Sequence, residues 1–181
     1  MKKIITLSLL TISLMASQNN DYIGLSGGVS KLSTVQTTTT SSSLQNDSSD
    51  GVAMTLTFGH KYESGRFNAS YTFVNHDTTV VKQVSAFNFA YDFTFPIATS
   101  GVALFAGPVI GYSWYEDASV NLDGLHYGVE MGTFYNITEN FSVELGYKYF
   151  NETASEESTT TKVEYDDLQT LYFGINYYFS Y

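Results

Sequence analysis

The sequence predicts an all-β fold, a closed antiparallel eight-stranded transmembrane β-barrel, and three observations predict it. Apolar residues recur at every second position through eight segments of the chain. Charged residues make up only 14% of the 181 residues, whereas aromatic residues reach 16%, with fifteen Tyr and thirteen Phe. Soluble domains carry about 25% charged residues. Short connections between the segments alternate strictly with long ones.

The first element is a leader. Lys2 and Lys3 precede an apolar run from Ile4 to Met15, and Ala16 follows. A charged start, a short apolar stretch and a small residue form the pattern of a secretory signal peptide. The run of twelve residues falls short of the roughly twenty that a spanning helix needs. The expected organisation is therefore a signal peptide over 1–16 and a single barrel domain over 17–181. Removing the leader leaves six basic residues against eighteen acidic ones.

Eight strands follow. Ile23, Leu25, Gly27 and Val29 share one face of the first; Val52, Met54, Leu56, Phe58 and Tyr62 share one face of the second, a row that His60 interrupts. Phe67, Ala69, Tyr71 and Phe73 mark the third, and Phe87, Phe89, Tyr91, Phe93 and Phe95 the fourth. The fifth carries Val102, Leu104, Ala106, Pro108, Ile110, Tyr112 and Trp114. Leu125, Tyr127, Val129, Met131 and Tyr135 belong to the sixth, and Phe141, Val143, Leu145, Tyr147 and Tyr149 to the seventh. The last places Leu171, Phe173, Ile175, Tyr177, Phe179 and Tyr181 on one side. Strict alternation marks strands with one greasy face, each long enough to cross a bilayer when tilted. Pro108 has no N–H for a ladder, so a bulge is expected there.

The opposite faces decide what the greasy ones touch. A soluble barrel turns its polar face to water and fills it with Lys and Glu. Here that face is mostly Gly, Ser, Thr, Ala and Asn, which suits a narrow lumen closed by small side chains. Tyr and Phe crowd the apolar face, often near strand ends, as an interfacial girdle requires. A soluble secreted barrel is the structural alternative.

Three connections are short (63–65, 96–100 and 136–140) and four are long (34–50, 75–82, 116–123 and 151–167). Outer-membrane barrels place short turns in the periplasm and long loops outside the cell, and an even strand count returns both termini to the periplasm. The first long loop holds a Thr/Ser tract, Thr37 to Ser43, then Asn46, Asp47 and Asp50. The fourth sets Glu152, Glu156, Glu157, Glu164, Asp166 and Asp167 against Lys162. Segments so polar bury no core. Two readings stand: a surface that binds a host or neighbouring-cell ligand, or solvated tips that keep the protein exposed and soluble.

Two stretches resemble a known group, the small eight-stranded outer-membrane barrels of the OmpA transmembrane-domain and OmpX/Ail-like type. Gly128-Val129-Glu130-Met131-Gly132 and the run from Tyr135 through Asn136-Ile137-Thr138-Glu139-Asn140 to Tyr149 look like that group's penultimate hairpin. Leu171 to Tyr181 resembles its C-terminal assembly signal, with Phe173, Ile175, Tyr177, Phe179 and Tyr181 as the residues that the barrel-assembly machinery reads. The resemblance implies location in the outer membrane of a Gram-negative cell, among outer-membrane lipid and lipopolysaccharide. It implies activity only weakly, because members serve as anchors, adhesins, serum-resistance factors or structural proteins. The sequence stops at Tyr181, without the periplasmic domain that follows the barrel in OmpA, so peptidoglycan tethering is not expected.

On the polar faces lie Glu130, Glu144 and Lys148, with Lys61, Arg66 and Asp92 nearer strand ends. Adjacent sixth and seventh strands bring Glu130 beside Glu144 or Lys148, depending on register. Charges in a dry lumen must pair, so Glu130, Glu144 and Lys148 are expected to form a network that plugs it; a narrow, porin-like pore is the alternative. An enzyme acting on lipid A needs a Ser, a His and a carboxylate brought together. His60, His76 and His126 show no such grouping along the sequence, and no catalytic residue is assigned. The chain has no Cys and its histidines share no short spacing, so no metal or cofactor is implied. A formal charge of −10 repels nucleic acid.

Overall fold

The computed structural model describes residues 21–38, 44–76, 81–98, 100–117, 121–153, 155–157 and 161–179. The expected signal peptide and Tyr181 lie outside the described residues. Within them the strands are β1 (Asp21–Thr38), β2 (Leu44–Lys61), β3 (Gly65–His76), β4 (Val81–Pro96), β5 (Val102–Asp117), β6 (Asn121–Asn136), β7 (Phe141–Glu152), β8 (Ser155–Glu157) and β9 (Thr161–Tyr178). All but the three-residue β8 make a closed antiparallel eight-stranded barrel. Each strand pairs with its sequence neighbour, β7 pairs with β9, and β9 returns to β1. Closure leaves the barrel wall no free edge.

The barrel is inside out. Leu25, Val29, Phe58, Phe95, Leu125 and Phe173 point outward and are each more than half exposed, whereas Arg66 is 2% and Asp92 0% exposed. The alternation read from the sequence assigns the outward face correctly on every strand. His60 takes an outward position in that pattern yet is buried, with its Nδ1 2.6 Å from Asp21 Oδ1.

Three expectations about local structure need correction. The connection expected over 34–50 is mostly strand, since β1 and β2 stay paired to Thr37↔Leu44. The fourth long connection likewise contains β8 and the start of β9, paired at Glu157↔Lys162. Pro108 makes no bulge. The β4–β5 ladder runs to Ala90↔Val109 and resumes at Phe93↔Ala106 in the same register, while Pro108 itself pairs in register with Val129 on β6. The missing N–H interrupts pairing on one side only, so the strand continues without an extra residue.

The tight turns carry their own support. Thr138 Oγ1 accepts from the backbone N–H of Asn140 and of Phe141, at 3.2 and 3.1 Å. In the 97–101 turn Ala98 adopts φ 46° and Gly101 φ 74°, with Ser100 Oγ donating to Ile97 O at 2.6 Å.

The lumen is filled in layers. Phe105, Phe134 and Tyr172 pack at the short-turn end. At the long-loop end Leu32, Val74, Val84, Tyr115, Phe150 and Leu168 form an apolar layer. Alternation does not reveal that second layer, because its residues lie at or beyond the ends of the alternating runs. Between the two layers the interior is polar. Glycines let large rings lie flat against its wall: a Cβ at Gly146 would collide with the ring of Tyr172, its register partner.

Candidate functional site

Arg66 follows the 63–65 turn and is the second residue of β3. Register sets Asp92 of β4 directly opposite it, and Arg66 Nε donates to Asp92 Oδ2 at 2.7 Å. The long side chain then reaches across the barrel, where Nη1 donates to Glu144 Oε2 on β7. The guanidinium carbon lies 4.1 Å from the centroid of the Phe105 ring, a cation–π contact that holds the charge in a desolvated place.

Further polar side chains join this cluster, while Asp92 Oδ1 has no hydrogen-bond partner among the described residues. Asn68 Nδ2 donates to Asp92 Oδ2 at 2.7 Å and to Glu130 Oε1 at 3.2 Å, and Tyr22 OH donates to Asn68 Oδ1. Tyr172 OH donates to Glu144 Oε1 at 2.7 Å, and Asn176 Nδ2 to Glu144 Oε2 at 3.1 Å. Lys148 Nζ sits 3.1 Å from Glu130 Oε2, the two being register partners on β7 and β6.

Of the three residues expected to form a lumen network, the structure therefore brings Lys148 to Glu130. Glu144 does not lie opposite Glu130; its register partner on β6 is Phe134, and its ionic partner is Arg66. Arg66 and Asp92 are the hub that sequence reasoning set aside as strand-end residues. Lys61 lies with its Nζ 5.2 Å from the Phe134 ring centroid. A cavity of about 20 Å³ remains among these groups, room for about one water.

A second polar cluster lies toward the long-loop end, and it brings together a serine, a histidine and a carboxylate that show no grouping along the sequence. Ser113 Oγ on β5 lies 2.5 Å from His126 Nδ1 on β6 and 3.3 Å from both carboxylate oxygens of Glu152 on β7. His126 Nε2 lies 2.6 Å from Asn88 Oδ1, and Asn88 Nδ2 reaches the hydroxyls of Ser70 and Thr72. No single strand shows this cluster, because its members come from adjacent strands. His126 pairs with Gly111, two residues before Ser113, and with Glu152 on its other side.

The composition is that of a hydrolytic triad, but the arrangement is not. In a working triad the two imidazole nitrogens divide between nucleophile and carboxylate. Here serine and carboxylate crowd one nitrogen, and an amide holds the other. Ser113 is 0% and His126 1% exposed, so a substrate has no approach. His76 is held by Ser49 Oγ 3.1 Å from its Nδ1; Asp77 and Thr78, its sequence neighbours, lie outside the described residues. Among the described residues no group of three His, Cys, Asp or Glu side chains is arranged to hold a metal ion.

Of the residues of the expected assembly signal, Phe173, Ile175 and Tyr177 line the outer face of β9. Phe179 follows the strand, and Tyr177 packs on Phe141 with ring centroids 4.9 Å apart.

A closed barrel with a greasy outer wall and a charged, filled lumen is the fold of the small eight-stranded outer-membrane β-barrels. Among solved structures the chain is similar to Neisserial surface protein A, at 16% identity over 88% of this chain and 97% of that one, with a TM-score of 0.66. It is similar to outer membrane protein H of P. aeruginosa at 22% identity, covering 88% and 99%, with a TM-score of 0.53. The N-terminal β-barrel domain of Pseudomonas aeruginosa OprF matches at 8% identity over 90% and 100%, also at 0.53. No family model and no curated protein matches the chain.

Proposed function

We propose that the protein is a non-enzymatic, integral outer-membrane barrel that carries polar loops at the cell surface. The observation that carries the reading is the inverted distribution of polarity: buried Arg66, Asp92, Glu130 and Glu144 inside, exposed Leu, Val and Phe outside. In water that outer wall would be a very large apolar patch, which soluble monomers rarely expose; in a bilayer it is the contact surface. Lys2 and Lys3 with the apolar run after them supply export, and Phe173, Ile175, Tyr177, Phe179 and Tyr181 supply the address for the barrel-assembly machinery. The loops serve surface interaction, with a host or neighbouring-cell ligand as the partner.

Two features support leaving chemistry and transport aside. The Ser113–His126–Glu152 cluster is sealed inside the lumen, and the lumen keeps only about 20 Å³ around Arg66. Membrane fractionation followed by gel electrophoresis with and without boiling tests the reading. An outer-membrane band that migrates differently when heated is the expected result. A soluble protein with no such shift overturns it and leaves a soluble barrel in its place.

A further inference from the structure

The ionisable groups in the middle of the lumen do not balance. Arg66 and Lys148 bring two positive charges, whereas Asp92, Glu130 and Glu144 can bring three negative ones. Lys61 does not make up the difference. It is half-buried at the short-turn end, lies over the Phe134 and Tyr178 rings, and ion-pairs with no carboxyl among the described residues. Arg66 and all three acids are buried, and an uncompensated charge so far from water is strongly disfavoured.

Hydrogen bonds identify where the imbalance is relieved. Both oxygens of Glu144 accept, one from Tyr172 and the other from Arg66 and Asn176. Both oxygens of Glu130 accept as well, from Asn68 and from Lys148. Asp92 differs. Its Oδ2 accepts from Arg66 Nε and Asn68 Nδ2, each at 2.7 Å, while its buried Oδ1 meets no donor. Yet the carboxyl groups of Asp92 and Glu130 lie within hydrogen-bonding reach of each other. Two carboxylates in contact repel, whereas a carboxyl and a carboxylate that share one proton attract. A proton on Oδ1 supplies the donor that this contact lacks and removes the surplus negative charge. The other titratable groups around the pair are Arg66 from β3, Glu144 and Lys148 from β7, Tyr22 from β1 and Tyr172 from β9. The two phenols are engaged elsewhere, donating to Asn68 and to Glu144.

We infer that Asp92 and Glu130 hold one proton between them, and that the lumen cluster is neutral only while this proton is bound. The pair is a proton-binding site at the centre of the plug. Loss of the proton leaves adjacent carboxylates in a cluster one cation short, which makes the plug sensitive to alkali. Replacing each acid by its amide tests this. Asp92→Asn and Glu130→Gln each remove one carboxyl together with the proton, so the pair keeps a single negative charge and the cluster stays balanced. Each is expected to leave the urea unfolding midpoint near that of wild type. The double variant leaves a cation unpaired and is expected to lower it. Infrared spectra of the wild-type barrel in vesicles at neutral pH are expected to show a protonated-carboxyl stretch that either single variant lacks. In alkali the wild type is expected to lose its heat-dependent gel mobility at a lower pH than Asp92→Asn does. Single variants that fall as far as the double one, or that no longer form a barrel, show three ionised carboxylates and overturn the proposal. Identical carboxyl spectra for wild type and both single variants overturn it too; a wild-type midpoint that then rises with added sodium puts a small cation in the place of the proton.

Discussion

Arg66 is more deeply buried than any outward phenylalanine, and two carboxylates depend on it. Replacing it with Ala leaves Asp92 and Glu144 facing each other across a dry lumen without their cation. Removing one partner of a buried pair costs about 3–5 kcal/mol, so Arg66→Ala is expected to lower the urea unfolding midpoint by a corresponding amount. Lys148→Ala is expected to cost less, because Glu130 keeps its bond from Asn68. An equal or larger loss at Lys148 contradicts the assignment of Arg66 as the hub. At Ser113 the structural and the catalytic accounts diverge. Ser113→Ala removes one buried hydroxyl from the His126–Glu152 contact and is expected to cost about 1 kcal/mol. Lipid A mass spectra from cells with and without Ser113 are expected to be identical; a mass difference that vanishes with the hydroxyl makes the cluster an enzyme.

Strands put these residues where they meet, and strands are where the sequence was most readable. Period two is a local property. Phe87, Phe89 and Tyr91 announce their face without knowledge of any neighbour, as do Leu171, Phe173 and Ile175. A direct check is Phe89→Arg, which places a charge on the outward face midway along β4. Near the bilayer midplane such a charge is expected to cost about 2–4 kcal/mol, read from unfolding in lipid vesicles. Asn88→Arg, one position along, faces a filled lumen, and its effect arises from overpacking beside His126. Only the Phe89 penalty is expected to shrink when detergent micelles replace the vesicles, and a matched fall at both sites refutes the face assignment. Register was not readable in this way. Thr34 to Asp50 looks like a loop because its residues are polar, yet β1 pairs with β2 as far as Thr37↔Leu44. Beyond Gly51↔His76 and Asn151↔Asp167, β2, β1, β9 and β8 go on pairing among themselves after their last pairings with β3 and β7. Backbone pairing alone extends them, and composition carries no trace of it. Arg66 was hidden for a related reason: its place in the chain says strand end, while its long side chain and the barrel's curvature bring it to Glu144.

At the scale of the whole molecule these parts decide whether anything crosses. An eight-stranded barrel encloses just enough space for its own side chains, and here the space is used three times over. Phe105, Phe134 and Tyr172 pack one end, the Arg66 cluster spans the middle, and Leu32, Val74, Phe150 and Leu168 fill the other. An ion would have to displace a guanidinium from two carboxylates and then pass an apolar layer that offers no replacement for its hydration shell. Planar bilayers containing the wild-type barrel are therefore expected to show no conductance steps above the lipid background. Arg66→Ala alone is expected to leave them silent, because Leu32, Val74 and Phe150 still close the long-loop end. Adding Phe150→Ala and Leu168→Ala at the long-loop end and Phe105→Ala and Phe134→Ala at the short-turn end to it opens all three constrictions and is expected to produce steps, provided heated and unheated samples still migrate differently. Steps from the wild-type protein instead make the barrel a narrow pore. Conduction by Arg66→Ala alone shows that the charged cluster is the sole barrier and that the apolar layer yields to water.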